Sequence, residues 1–217
     1  MIFARFKGPA VKDAELTKGK VYFVRPALED RDAASFEFIE VTDDKGNVHR
    51  VNTEDESFEF IEEVYAVVLA PFDENEVGEV TVLDGVSDDG SMVSVSGFGL
   101  HRASDVVVID RTNVFPGVSA HDMESGRWEK VKRVDECMWI LVDDQTRLRS
   151  PEEFEFAVSD GSIMVEPLVK CLDDSGEPGL TNGNLYYLKR TDKSGLFVVQ
   201  NDQGQEATYL PYRFDMK

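Results

Sequence analysis

The sequence predicts an all-β protein, a tandem array of about four small β-barrels, and three observations carry that expectation. The two ends of the 217-residue chain share one pattern: Leu16-Thr17-x-Gly19, Tyr22 and Asp44-x-Gly46 return as Leu180-Thr181-x-Gly183, Tyr186 and Asp202-x-Gly204. A pattern shared by both ends of a chain marks a structural repeat. Between the copies, short alternating apolar runs are separated by glycine-marked hairpin signals, with no long helical period. Phenylalanine is frequent at 14 residues, which suits small barrels whose few interior positions need large side chains.

The expected units are 1–65, 66–110, 111–162 and 163–217. In the first, Phe3 and Phe6 begin a strand, Val21–Val24 alternates as a second, and Pro26–Ala34 is a polar insertion expected to loop. Phe36, Phe38 and Val41 lead to a hairpin tip at Asp43–Asn47, where Gly46 supplies positive φ. Val48 and Val51 return, Thr53–Ser57 makes one helical turn, and Phe58–Phe60 closes the unit. The second unit, a degenerate copy, has strands at Ala66–Leu69, Val77–Leu83, Met92–Val95 and Val106–Ile109. In the third, Trp128–Val134 and Met138–Val142 are strands, and Ser150-Pro151-Glu152-Glu153-Phe154 echoes Leu210-Pro211-Tyr212-Arg213-Phe214. The fourth carries the clearest copy of the pattern.

Five short strands and one turn before the last are the outline of a small, partly open barrel. Val169, Cys171, Asp173, Asp174, Leu180-Thr181-x-Gly183, Tyr186, Asp202-x-Gly204, Tyr209 and Arg213-Phe214 resemble the small SH3-like domains of uncharacterised bacterial and phage proteins. The resemblance implies interaction modules of phage or bacterial origin, with no shared catalytic residues to carry over.

Charge is the strongest anomaly. The formal net charge is −20, yet Glu29 to Asp89 holds 20 acidic and 3 basic residues, so that one region carries −17. Acidity this concentrated raises a potential of several kT that steers basic partners. It excludes a basic footprint for direct DNA or RNA binding. The expected partner-binding residues are Asp43, Asp44, Glu54, Asp55, Glu56, Glu59, Glu62, Glu63, Asp73, Glu74 and Glu76. A basic protein partner is expected, with carboxylates standing where a nucleic acid would place phosphates. The bland alternative is a solvated surface that maintains solubility.

No cofactor and no metal site is expected. Asp73–Glu76, Asp88-Asp89-Gly90 and Asp173–Glu177 lack the alternating ligands of a calcium loop, and hairpin tips favour Asp and Gly on backbone grounds. His49, His101 and His121 fall in three different units without metal-ligand spacing. Cys137 and Cys171 both read as buried core cysteines beside apolar runs. SH3-type barrels bind through loop aromatics, so Trp128, Tyr187, Tyr209 and Tyr212 form a candidate aromatic groove, the alternative being that they complete their own cores. No apolar run approaches the ~18 residues of a membrane span, and no signal-peptide pattern opens the chain. The expectation is a non-enzymatic, cytoplasmic acidic protein that occludes a nucleic-acid-handling host or defence enzyme. Two alternatives stand beside it. One is a small-molecule or nucleotide binder using a cleft between barrels, its cations being Arg127, Lys130, Lys132, Arg133, Arg147 and Arg149; the other is a structural virion or assembly component.

Overall fold

The computed structural model describes residues 2–9, 11–27, 37–61, 64–70, 76–97, 99–143 and 145–216, for Asp55 the backbone only. The chain is all-β, with several antiparallel sheets. It divides into two compact units, Met1–Glu76 with Thr81–Asn113, and Val77–Val80 with Val114–Lys217. No helix among the described residues is long and apolar enough to cross a membrane.

The first sheet is built from β1 (Ile2–Phe6), β2 (Val21–Pro26), β3 (Phe38–Thr42), β4 (Val48–Asn52) and β5 (Phe58–Ile61), in the order β4-β3-β2-β1-β5. Three hairpins follow one another and the fifth strand returns to the first. The same order recurs in β6 (Val64–Val68), β7 (Val80–Val86), β8 (Met92–Val95), β9 (Gly99–Arg102) and β10 (Val106–Val108), with β10 beside β6. A third sheet holds β11 (Ser119–Asp122), β12 (Arg127–Val134), β13 (Ile140–Val142) and β14 (Phe154–Glu155). Among the described residues no strand lies between β13 and β14 in the chain, where the other large sheets have one, but Arg149 bridges Ile140 there. A two-stranded hairpin, β15 (Val158–Ser159) and β16 (Ser162–Ile163), leads to the last sheet. That sheet is β17 (Leu168–Cys171), β18 (Leu185–Thr191), β19 (Phe197–Gln200), β20 (Glu206–Tyr209) and β21 (Phe214–Met216), again with β21 beside β17. A single 3-10 turn precedes the returning strand in each of the four larger sheets, at Thr53–Asp55, Ala103–Asp105, Pro151–Glu153 and Pro211–Arg213.

The repeated letters have a physical use. Tyr22 Oη accepts the Thr17 N–H at 2.7 Å and hydrogen-bonds the Asp44 carboxylate at 3.0 Å, while Thr17 Oγ1 donates to the same carboxylate at 2.7 Å. Tyr186 repeats this with Thr181 N–H at 2.7 Å and Asp202 at 2.8 Å, and Thr181 Oγ1 donates to Asp202 at 2.9 Å. Each tyrosine ties the turn before the second strand to the tip of the hairpin between the third and fourth. Burial, helped by the Asp44 carboxylate, pushes Tyr22 up to about 12, so the phenol stays a donor.

Packing within the first unit explains why β1 does not alternate. Ala4, Phe6, Tyr22 and Val24 face the core of their own sheet with Ile39, Val41, Val51 and Phe58. Phe3 and Val21, on the opposite face, join the core of the second sheet with Ala66, Leu83, Val93 and Val95. The carboxylate of buried Asp110 fastens this arrangement by accepting the Val21 N–H at 3.1 Å. In the other unit, Trp128 of the third sheet enters the core of the fourth beside Val169, Cys171, Tyr186, Leu188 and Phe214. Its backbone N–H donates to Thr191 Oγ1 at 3.1 Å.

Several boundaries differ from expectation. β6 begins at Val64 and so crosses the expected limit at 65/66. β7 covers Val80–Val86 rather than 77–83, because Gly78 (φ +99) is pinned to Phe156: its carbonyl accepts the Phe156 N–H at 2.8 Å. β13 starts at Ile140, since Met138 adopts φ 63 in a turn organised by Asp135. β9 and β11 escaped the apolar pattern: β9 leaves Leu100 exposed, and β11 buries Ser119 and Asp122. The expected loop at Pro26–Ala34 lies outside the described residues beyond Ala27, and Pro26 itself ends β2.

Tyr186→Phe leaves the Thr181 N–H and the Asp202 carboxylate without their shared partner. Urea unfolding should register a loss of roughly 1–3 kcal/mol, whereas Tyr187→Phe, at a half-exposed side chain, should stay within about 0.5 kcal/mol of the parent. Equal effects would show that the hydroxyl is not what holds the hairpin.

Candidate functional site

The expected acidic residues separate once their partners are seen. Asp43 is buried and accepts backbone N–H groups from Asn47 at 2.8 Å, Lys45 at 2.9 Å and Glu15 at 3.2 Å, with His49 Nε2 at 2.9 Å. Burial alone would raise its pKa, but those hydrogen bonds outweigh it and hold the carboxyl well below the usual range. Asp44 is taken up by Lys20 at 2.6 Å and by the tyrosine lock. Both residues serve the hairpin; Asp43 is withdrawn from the surface, whereas Asp44 stays exposed. Glu59 is exposed and pairs with buried Arg5 at 3.2 Å. Glu54 and Glu56 are exposed around the 3-10 turn at Thr53–Asp55, and Thr53 at its start donates its N–H to the Glu37 carbonyl at 2.9 Å, bringing Glu37 alongside. Glu76 is also exposed. Glu62, Glu63, Asp73 and Glu74, and the Asp55 side chain, lie outside what is described.

The aromatic candidates do not form one groove. Trp128 and Tyr209 are buried in the same core, Trp128 against the His121 ring at 5.3 Å and Tyr209 against Phe214 at 6.2 Å. Tyr187 and Tyr212 are exposed, at 51% and 67%. The alternation YY at 186–187 hides one ring and presents the other, which is the period of a strand.

Other titratable groups act as caps. Asp89 accepts from Ser87 Oγ at 2.6 Å and from the Ser91 N–H and hydroxyl, and these bonds lower its carboxyl to about 2. His121 Nδ1 lies 2.7 Å from Glu155 Oε2. Among the described residues, no group of three or more His, Cys, Asp or Glu side chains is placed to hold a metal ion. Cys171 is buried as expected, and burial pushes its thiol up. Cys137 is exposed instead, because its backbone N–H is drawn into the Asp135 turn at 2.9 Å, away from the core.

One feature of the second compact unit went unseen in the linear sequence. Between β12 and the end of β18 runs a groove of about 420 Å³. Arg127, Lys130 and Lys132 line one wall, and Arg190 and Lys193 the other. Register shifts between Val131 and Arg133, and between Leu188 and Arg190, mark bulges at the matching place in the two strands. Such bulges re-aim side chains, and the residues left out of register here are Lys132 and Lys189. Three carboxylates share the lining, Glu129, Asp143 and Asp192, but Asp192 already accepts the N–H groups of Ser194 and Leu196. Burial lowers the pKa of Lys130; Glu166 at 3.2 Å opposes that, and the charges of Lys189 and Arg190 add to it. Of the other expected cations, Arg149 is buried and ion-paired to Asp122 at 2.9 Å and Glu153 at 2.8 Å, where it holds the third sheet together. Arg133 and Arg147 are exposed outside the groove lining.

No protein-family model matches the chain, and comparison with curated proteins gives no match.

Two measurements follow from these placements. The folded-state pKa of Asp43 is depressed below 3.8, so the stability it contributes is full above that value and is lost as pH falls through and below it. Asp43→Asn should lower the melting midpoint at pH 7 and flatten its decline below about pH 4; an unaltered profile would remove Asp43 from the account. With iodoacetamide, native protein should incorporate one label at Cys137, and Cys171 should react only on unfolding. Fast modification of both would contradict the burial of Cys171.

Proposed function

We propose that the chain is a non-enzymatic, cytoplasmic interaction protein of phage or bacterial origin. In this reading it is built from SH3-like barrels over 1–65, 66–110, 111–162 and 163–217, and its acidic first half binds and occludes a basic partner. The shared strand order, with a 3-10 turn before each returning strand, supports the barrel reading. The observation that carries the binding reading is the set of carboxylates left over once the fold has used its own. Asp43, Asp44 and Glu59 are bound to neighbours, while Glu37, Glu54 and Glu56 are exposed around one turn without an ion pair among the described residues. In a region of this net charge, unpaired carboxylates attract cations at long range and direct a basic surface onto the turn. A nucleic-acid-handling host or defence enzyme is the class of partner whose phosphate-binding surface these carboxylates would occupy.

The test is charge reversal where the fold does not depend on the charge. Glu54→Lys with Glu56→Lys should reduce capture of basic proteins from a bacterial lysate about tenfold or more at low salt, with an unchanged melting midpoint. Glu152→Lys with Asp160→Lys, an equal change at exposed sites of the other unit, should leave capture intact. Equal loss in both pairs would reduce the effect to overall charge and remove the turn as a site.

A further inference from the structure

We propose that the groove between β12 and β18 is a binding site for a small ligand carrying two or more phosphate groups. This goes beyond the acidic-surface reading and rests on different residues. The groove collects five cations, Arg127, Lys130, Lys132, Arg190 and Lys193, in a chain whose net charge is −20. The lining sets these five cations against three carboxylates, Glu129, Asp143 and Asp192, and the surplus of positive charge reaches Lys130, on which Lys189 and Arg190 act unfavourably. Glu166 relieves part of this by bridging Lys130 at 3.2 Å and Lys189 at 2.7 Å. Lys132 has no ion pair or hydrogen bond among the described residues, and Arg190 reaches only Glu206 at 3.4 Å, at the outer end of a fork with further donors. A bound anion would complete the neutralisation.

The site is also formed in advance. The Trp128 N–H to Thr191 bond and the Arg127 Nη2 to Lys193 carbonyl bond at 3.2 Å join the two walls whether or not anything lies between them. A ligand therefore meets positioned donors, which reduces the ordering cost of binding. Its class follows from three features. Cations on both walls call for more than one negative charge. Guanidinium forks at Arg127 and Arg190 match the oxygens of phosphate. A volume of about 420 Å³ falls within the range of small-ligand pockets, ~300–1,000 Å³. Trp128 lines the groove floor and is the natural reporter.

The test uses the full chain carrying Trp139→Phe, so that Trp128 is the remaining tryptophan, titrated with inorganic pyrophosphate at constant ionic strength. A saturable change in Trp128 emission is expected below about 10 mM, with no change from potassium chloride at matched strength. Lys132→Ala with Arg190→Ala, both outside the cores, should weaken binding about tenfold or more with the circular dichroism spectrum preserved. Lys7→Ala with Lys18→Ala, an equal charge loss in the other unit, should leave it unchanged. No saturation, or equal weakening by both pairs, would overturn the assignment. So would a groove that ignores pyrophosphate and ADP but takes a single-stranded oligonucleotide, since that identifies an extended polymer as the occupant. None of these results depends on the Glu54 and Glu56 surface, so the two readings fail separately.

Discussion

A sheet of five short strands encloses too little apolar surface to stand securely, because small bodies bury a smaller fraction of their chain. The rest of this structure depends on how that shortage is met. In the first compact unit, β1 is buried on both faces: Ala4 and Phe6 complete their own core while Phe3 completes the next. In the second, Trp128 leaves its own sheet to fill the core of the fourth. Neighbouring sheets thus share cores, and the two compact units of the chain each hold such a pair. Phe3 would contribute on the order of 1.5–3 kcal/mol by leaving water, a gain that exists only when the second sheet is folded.

Polar contacts determine which arrangement those cores adopt. The Tyr22–Thr17–Asp44 and Tyr186–Thr181–Asp202 locks fix hairpin positions, and Asp110 and Thr191 join paired sheets through backbone N–H groups. Between β13 and β14, where the described residues hold no further strand, the buried Arg149 pairs with Asp122 and Glu153. Many carboxylates of this acidic chain are therefore structural, and a reading from charge alone counts them twice. What the fold leaves unused is smaller and more local: a turn rich in exposed Glu in one unit and a cation-lined groove in the other.

Much of the fold could be read along the chain, and less of the site. Hairpin tips at Asp43–Asn47 and Ser87–Ser91 were legible because Gly and Asp there answer to local backbone geometry. Asp43 looked like a surface acid since its partners His49 and Glu15 are brought to it only by the folded hairpin. Cys137 looked buried because it precedes Met-Trp-Ile-Leu-Val, yet the strand starts only at Ile140. The groove combined Lys132 with Arg190 and Lys193, some sixty residues apart, and no local signal relates them.

By itself, the sequence determined that this protein is all-β, where its turns fall, that it repeats, and where its negative charge is concentrated. These are consequences of period-two alternation, of glycine's access to positive φ, and of composition, all of them local. Tertiary structure alone decided that the sheets share cores in pairs, which carboxylates are consumed by hydrogen bonds, and which cations face one another across the groove. Those outcomes depend on the register between strands distant in the chain, since a shift of one residue exchanges the buried and exposed faces.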